Sequence, residues 1–201
     1  TGASMTLTNE NGGFIQSGTT SSDTLTIGGT AVALNNTSGT ILSNQLAFTL
    51  ASLSNAGAIQ GGTAISTIDV REALNNAGSL TLATSGTGNS IITANTLTNT
   101  DTGTLQSGAG LTATIIQELN NSGTLFASNN LTSNSGSLTN SGTLQTNQSS
   151  TITTGALANS GKIITSGAGY SGIVNAATLT NMGAGVIQSA QNLNVNISGG
   201  T

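Results

Sequence analysis

The sequence predicts an all-β fold, a parallel β-helix, and three observations carry that prediction. One octet recurs along the chain: LTNSGTLQ at 138–145, LNNSGTLF at 119–126, LANSGKII at 157–164 and LSNAGAIQ at 53–60. Aligned on the leading Leu, nine copies start at Leu7, Leu34, Leu53, Leu74, Leu97, Leu119, Leu138, Leu157 and Leu179, at intervals of 27, 19, 21, 23, 22, 19, 19 and 22 residues. Such self-similarity is the signature of a solenoid. The residue types then select among solenoids. Helical repeats need roughly 30 or more residues per unit and good helix formers, which are scarce here. The L-x-x-L-x-L lead-in of leucine-rich repeats is absent, and the chain has three Asp where calcium-binding nonapeptide repeats need one in every turn. About nine coils of 19–27 residues, each built from short strands, remain.

Each part of the coil has a physical reason. In TLTN at 178–181, alternation points Leu179 inward and leaves Thr178 and Thr180 outside. Asn stands two positions after every leading Leu: Asn9, Asn36, Asn55, Asn76, Asn99, Asn121, Asn140, Asn159 and Asn181. With coils stacked about 4.8 Å apart, these amides lie above one another at a corner. Each can donate to the next and accept from the last, satisfying polar groups that the corner would otherwise bury. An uncharged ladder can repeat indefinitely, whereas a charged one would repel itself. A Gly follows (Gly57, Gly78, Gly123, Gly142 and Gly161 in the tightest copies), expected to turn the chain with φ > 0. The next pair, such as Thr143-Leu144, resumes alternation. A further wall is expected from Leu25 and Ile27, Leu46 with Phe48 and Leu50, Ile65 and Ile68, and Leu193 with Val195 and Ile197. Longer intervals need only a bulging corner, with Gly12-Gly13 and Gly103 as candidate places. The chain has no proline, as suits strands paired on both sides that need every N–H.

Composition narrows the function classes. Charged residues make up 4% of the 201 and aromatics 2%, with a formal net charge of −4 and only two cations. No basic patch can form, so nucleic acid is not an expected partner, nor is an anionic membrane surface. No run of about 18 apolar residues exists, so membrane insertion is not expected. With no cysteine and no histidine, disulfides, thiolate metal sites and the usual general base are missing. No cofactor is expected. Disorder is rejected, because 35% of residues are hydrophobic and they fall at regular intervals. The first residues, TGASM, contain neither an initiator Met nor a signal peptide, so residues 1–201 are expected to form a single repeat segment internal to a longer chain.

The pattern L-x-N-x-G-x-[IL]-x, recurring from Leu7 to Gln188 with Thr, Ser and Asn between, resembles the filamentous-haemagglutinin repeats of two-partner secretion exoproteins. Those include large adhesins and the stick-like effectors of contact-dependent growth inhibition. The resemblance implies a right-handed coil, export through an outer-membrane secretion transporter, and a rod on a Gram-negative cell surface. It also implies a host or target-cell receptor or glycan as a distal partner. The copies at Leu34, Leu97 and Leu179 depart from the tight octet by insertions. The family's amino-terminal secretion domain and carboxy-terminal toxins have no counterpart in these residues.

Chemistry has few candidates. The only dense charge is IDVRE, with Asp69, Arg71 and Glu72; alternation places Asp69 and Arg71 on one side, and a surface ion pair is the expected outcome. Glu10, Asp23, Asp101 and Glu118 are scattered. Ser and Thr are plentiful but lack a base to activate them, so the chain is not expected to be an enzyme. A binding face is the stronger rival. Outward positions beside the leading Leu read Thr6/Thr8, Ser52/Ser54, Thr96/Thr98, Ser137/Thr139 and Thr178/Thr180, an array suited to glycan or ice. Four coils break it with Ala33/Asn35, Ala73/Asn75, Glu118/Asn120 and Ala156/Ala158, and the β-propensity of Thr accounts for much of the rest. Tyr170, in SGAGYSG, is expected in a loop or corner. Asn-x-Ser/Thr sequons stand at Asn35, Asn36, Asn120, Asn130, Asn147 and Asn196, of which Asn36, as a ladder residue, should be inaccessible. Both ends should expose unpaired strand edges, so the segment alone is expected to stack end to end.

Overall fold

A computed structural model describes residues 5–18 and 20–199. Among them there is no helix, and all 21 strands pair in parallel as the chain winds into a β-solenoid. One sheet has nine strands in sequence order, from Phe14–Gln16 to Val186–Ser189. Nine strands enclose about eight full turns, close to the nine coils expected.

The coil has three walls. The octet wall holds Met5–Asn9, Val32–Asn36 and Ser52–Asn55, then the second half of each long strand from Thr67–Asn76 to Gly172–Asn181. The wall after it is the nine-stranded sheet. The wall before it holds Thr24–Gly28 and Gln45–Leu50, then the first half of each long strand, and finally Leu193–Ile197. A residue or two between the halves bulges the strand and bends it around that corner. Register shifts lie between Ala94 and Thr96 and between Ile115 and Glu118, where Ile116 is pushed out to 65% exposure.

Stacking is in register, so like lies on like. Leu7, Leu34, Leu53, Leu74, Leu97, Leu119, Leu138, Leu157 and Leu179 form one column, and the nine Asn form another. The seven inner leucines are at most 2% exposed, each contributing about 1.5–3 kcal/mol by leaving water. The nine-stranded wall adds Ile41, Ile59, Leu80, Leu105, Leu125, Leu144 and Ile163, all buried. The third wall adds Phe48, Ile68, Ile92, Ile152 and Val174. One continuous aliphatic core runs along the axis, and alternation leaves the intervening polar residues outside.

One expectation about the third wall needs correction. Ile65 is 40% exposed, because it falls in the 61–66 corner before Thr67–Asn76 begins, and Ser66 takes the inward position. Leu193, Val195 and Ile197 continue the inward columns below Gly172, Val174 and Ala176, yet they are 38%, 44% and 50% exposed. They are the last rung among the described residues.

Apart from the bulges inside the long strands and the 29–31 turn after Thr24–Gly28, the extra residues of the longer coils lie at two corners. Residues 10–13 and 100–103 bulge as expected, closed by Gly13 N–H to Glu10 C=O and Gly103 N–H to Thr100 C=O. The rest fall where the nine-stranded wall gives way to the next coil, at 61–66, 82–88 and 166–171, a position the octets do not mark.

Candidate functional site

The octet corner is the most regular feature of the molecule. Each Asn Nδ2 donates to the Oδ1 of the Asn one coil further on. From Asn9 to Asn181 the eight N···O distances are 2.9, 2.8, 2.8, 2.8, 2.8, 2.8, 2.8 and 2.7 Å. The second amide hydrogen reaches a backbone carbonyl of that next coil, as from Asn99 to Thr124 C=O at 3.0 Å and from Asn121 to Thr143 C=O at 3.0 Å. A carbonyl can only accept, so this second contact fixes which way each amide faces and makes the ladder run in one direction. Asn36, Asn76, Asn99, Asn121, Asn140 and Asn159 are 0% exposed, Asn55 1% and Asn9 5%; Asn181, on the last octet rung, is exposed. Burial with every hydrogen-bonding group used is what makes an uncharged amide tolerable there.

The glycines serve the same corner for a different reason from the one expected. Positive φ is confined, among the described residues, to Asn11, Gly12, Gly29, Gly86, Gly169 and Gly183. None of Gly57, Gly78, Gly123, Gly142 and Gly161 is among them. These five lie in a column whose coils touch through their backbones. A Cβ on Gly142 would collide with the carbonyl oxygen of Gly123, and one on Gly161 with that of Gly142. The tight approach lets one carbonyl serve two donors: Asn121 C=O accepts from Ser141 N–H at 2.9 Å and from Gly142 N–H at 3.0 Å.

A second polar seam, missed in the sequence, lines the corner between the nine-stranded wall and the next coil. Ser66 Oγ donates to Leu82 C=O at 2.6 Å and accepts Leu46 N–H at 3.0 Å. Ser107 Oγ donates to Gly110 C=O at 3.0 Å, Thr146 Oγ1 donates to Asn129 C=O, and Ser150 and Thr165 pair at 2.7 Å. Backbone at this irregular corner leaves the ladder, and small buried hydroxyls supply its missing partners. The available signal was a Ser or Thr two residues after the inward Leu or Ile, as in LQS at 105–107, LQT at 144–146 and IIT at 163–165. Ser133 is the exception: its Oγ is buried without a partner among the described residues. Ser133→Ala should therefore leave the melting temperature unchanged or raise it, since no hydrogen bond is lost and an unmet polar group is removed. A drop of several degrees in a thermal melt would contradict this.

The outward face of the octet wall is ordered rather than broken. Register stacks Thr6, Ala33, Ser52, Ala73, Thr96, Glu118, Ser137, Ala156 and Thr178 in one column. The neighbouring column reads Thr8, Asn35, Ser54, Asn75, Thr98, Asn120, Thr139, Ala158 and Thr180. Hydroxyl pairs occupy every second coil, about 9.6 Å apart for coils stacked at about 4.8 Å. The four interrupting coils all fall between them. Ten of these hydroxyl residues are exposed or half-buried, so the pairs are presented to solvent.

The charged residues do not converge. Asp69, Arg71 and Glu72 are exposed, but Arg71 pairs with Glu72 at 2.8 Å rather than with Asp69. Alternation holds from Asp69 through buried Val70 to Arg71, as expected, and the extra residue that follows turns Glu72 outward beside Arg71. With both partners about 60% exposed, the pair contributes little. Asp69→Ala combined with Glu72→Ala should shift stability by less than about 0.5 kcal/mol; a larger loss in a urea titration would give the cluster a role this geometry does not. Asp23 accepts from the backbone N–H and hydroxyl of Thr20, which hold its carboxyl below the usual carboxylate range. No group of three acidic residues able to hold a metal occurs among the described residues.

Tyr170 sits in a turn closed by its N–H to Gly167 C=O at 3.1 Å and is 38% exposed. A shallow groove of about 230 Å³ lies between Thr81, Ala83, Thr84, Gln106, Gly108, Phe126 and Ser128, with no charged group lining it. Of the sequon residues, Asn36 is fully buried and committed to the ladder.

Comparison with known protein families, with characterised proteins and with solved structures returns no match.

Proposed function

We propose that this chain is a structural stalk segment of a secreted or cell-surface exoprotein, an adhesin or a contact-dependent inhibition effector, and that it holds a distal binding or toxin region away from the cell. The observation that carries this reading is the sameness of the coils: Leu and Asn columns pass through all nine octets. A solenoid whose coils contact only their neighbours is a stiff one-dimensional element. Nine coils at about 4.8 Å give a rod on the order of 45 Å long, and many such segments in series would set a reach. The resemblance of the octets to filamentous-haemagglutinin repeats supports the bacterial outer surface as its location and an outer-membrane transporter as its partner in export.

The test is the gene. An upstream secretion domain in the same reading frame, with a transporter gene beside it, is the expected result. A short frame ending near Thr201 with neither would overturn the proposal.

A second reading has one observation in its favour, the spacing of the hydroxyl pairs on every second coil. An extended β-linked glycan presents the same edge on alternate sugars, so a chain lying along the axis would meet Ser52/Ser54, Thr96/Thr98 and Ser137/Thr139 in turn. Saturable retention on an insoluble β-glucan, lost when Thr96 and Thr98 become Val, would favour this reading. Ice binding by the same face would appear instead as thermal hysteresis.

A further inference from the structure

We infer that the groove beside Phe126 is a binding subsite for one ring of a neutral sugar. It lies on the outer side of the nine-stranded wall, at the corner where the chain leaves that wall for the next coil. The site goes beyond the stalk reading, and it is separate from the hydroxyl pairs, which stand on the octet wall.

Unequal corners make the recess. Seven residues, 82–88, join Ser79–Thr81 to Asn89–Asn99, whereas only Gly108 and Ala109 join Thr104–Ser107 to Gly110–Asn121 one coil on. The long corner stands out beside the short one, and the step between them leaves the groove of about 230 Å³. Its walls are fastened. Thr84 N–H donates to Gly62 C=O at 2.6 Å on one side, and Gly108 N–H donates to Ala83 C=O at 2.6 Å on the other. Asn129 Nδ2 reaches past the short corner to Gly86 C=O at 2.8 Å. Gly108 has no room for a side chain, since a Cβ would meet the Thr84 carbonyl. The groove is formed before any ligand arrives, which removes an ordering cost from binding.

The lining selects the ligand. Thr81, Gln106 and Phe126 are in register on consecutive strands, at outward positions that core packing does not fill. Phe126 is only half-buried there. An aromatic ring presents a negative face, which attracts the positively polarised C–H groups on the flat side of a sugar ring. The polar groups around it are available. Gln106 Nε2 donates to Thr81 Oγ1 at 3.0 Å, which holds the amide and leaves its Oε1 as an acceptor. Among the described residues the hydroxyls of Thr84 and Ser128 have no protein partner, and each can donate or accept. No charged side chain lines the groove, so a phosphate or carboxylate would shed water with nothing to replace it. Pockets for drug-sized ligands run to about 300–1,000 Å³; this smaller one takes a single ring. A purely apolar ring would strand the amide and the hydroxyls, whereas a sugar has an apolar face and hydroxyls around its edge.

The experiment titrates the 201-residue chain with the methyl β-glycosides of glucose, galactose, mannose and N-acetylglucosamine, read by ligand-observed NMR. At least one should bind saturably with a dissociation constant of about 1 mM, its ring C–H protons shifted upfield by the aromatic ring above them. Phe126→Leu, which keeps apolar bulk and loses the ring, should abolish that shift and weaken binding about tenfold. Thr84→Ala combined with Ser128→Ala should also weaken binding, and Tyr170→Leu should leave it unchanged. No saturable binding by any of the glycosides would overturn the inference. So would binding that survives Phe126→Leu at full strength, binding lost in Tyr170→Leu instead, or tighter binding of free glucuronate than of the neutral sugars. If circular dichroism shows Phe126→Leu to be misfolded, ring-labelled phenylalanine in the parent decides: the sugar must perturb Phe126 and leave Phe14 and Phe48 unmoved.

Discussion

Gly142→Val should cost about 3 kcal/mol or more and lower the melting temperature by many degrees, whereas Gly12→Ala should cost only about 1 kcal/mol. The two substitutions separate two reasons for a glycine. At Gly142 a Cβ meets the Gly123 carbonyl oxygen and the backbone of Ser122. These atoms belong to the stacked coil and cannot swing aside as a side chain would. Relief requires the corner to open, which stretches the paired bonds from Ser141 and Gly142 to the Asn121 carbonyl. Gly12 has φ of 76° and open space around it, so alanine there is penalised only by backbone conformation. Equal losses at the two positions in thermal melts would show that the corner glycines serve local turning after all.

Asn121→Asp should give a protein whose deficit relative to the parent depends on pH: small at pH 3 and large at pH 7. Asn121 is fully buried, accepts from Asn99 and donates to Asn140 and to Thr143 C=O. A protonated carboxyl can still accept with one oxygen and donate with the other, losing only one donor. The carboxylate has none, and burial among acceptors raises its folded-state pKa above the unfolded value of about 3.9. The sign follows: below about pH 4 both states carry the proton, and above it the unfolded state loses the proton first. Stability then falls by about 1.4 kcal/mol per pH unit until the folded-state pKa is reached. Urea titrations of parent and variant at pH 3, 5 and 7 measure this directly. A deficit independent of pH would mean that the ladder position is open to water.

How much of this was legible in the sequence depends on whether the information was local or between coils. The inward Leu, the corner Asn and the outward Thr are set by alternation within four residues, and period alone stacks them. The role of Gly142 was misread because φ is a local property, while its actual constraint is the carbonyl of Gly123, nineteen residues earlier. Ser66, Ser107 and Thr146 were passed over because their partners, the Leu82, Gly110 and Asn129 carbonyls, are backbone groups at a corner of variable length. The surface ion pair at Arg71 was legible, but its partner Glu72 was not, because a bulge of one residue is silent in a pattern of alternation. The hydroxyl face looked broken when the octets were read one by one. Its order emerges only when coils are compared in pairs.

The stacking of one coil on the next also sets how the molecule would answer a pull. A coil is about 4.8 Å tall but is wound from 19–27 residues, each worth about 3.5 Å when drawn straight. Peeling a single coil from an end therefore releases roughly 65 Å or more of contour while shortening the rod by one rung. Coils contact only their neighbours, so release proceeds from a free end one rung at a time, and the rungs left behind keep their core. Under tension the rod is a spool: rigid until its end rung yields, and then able to pay out many times its own length before the chain is taut.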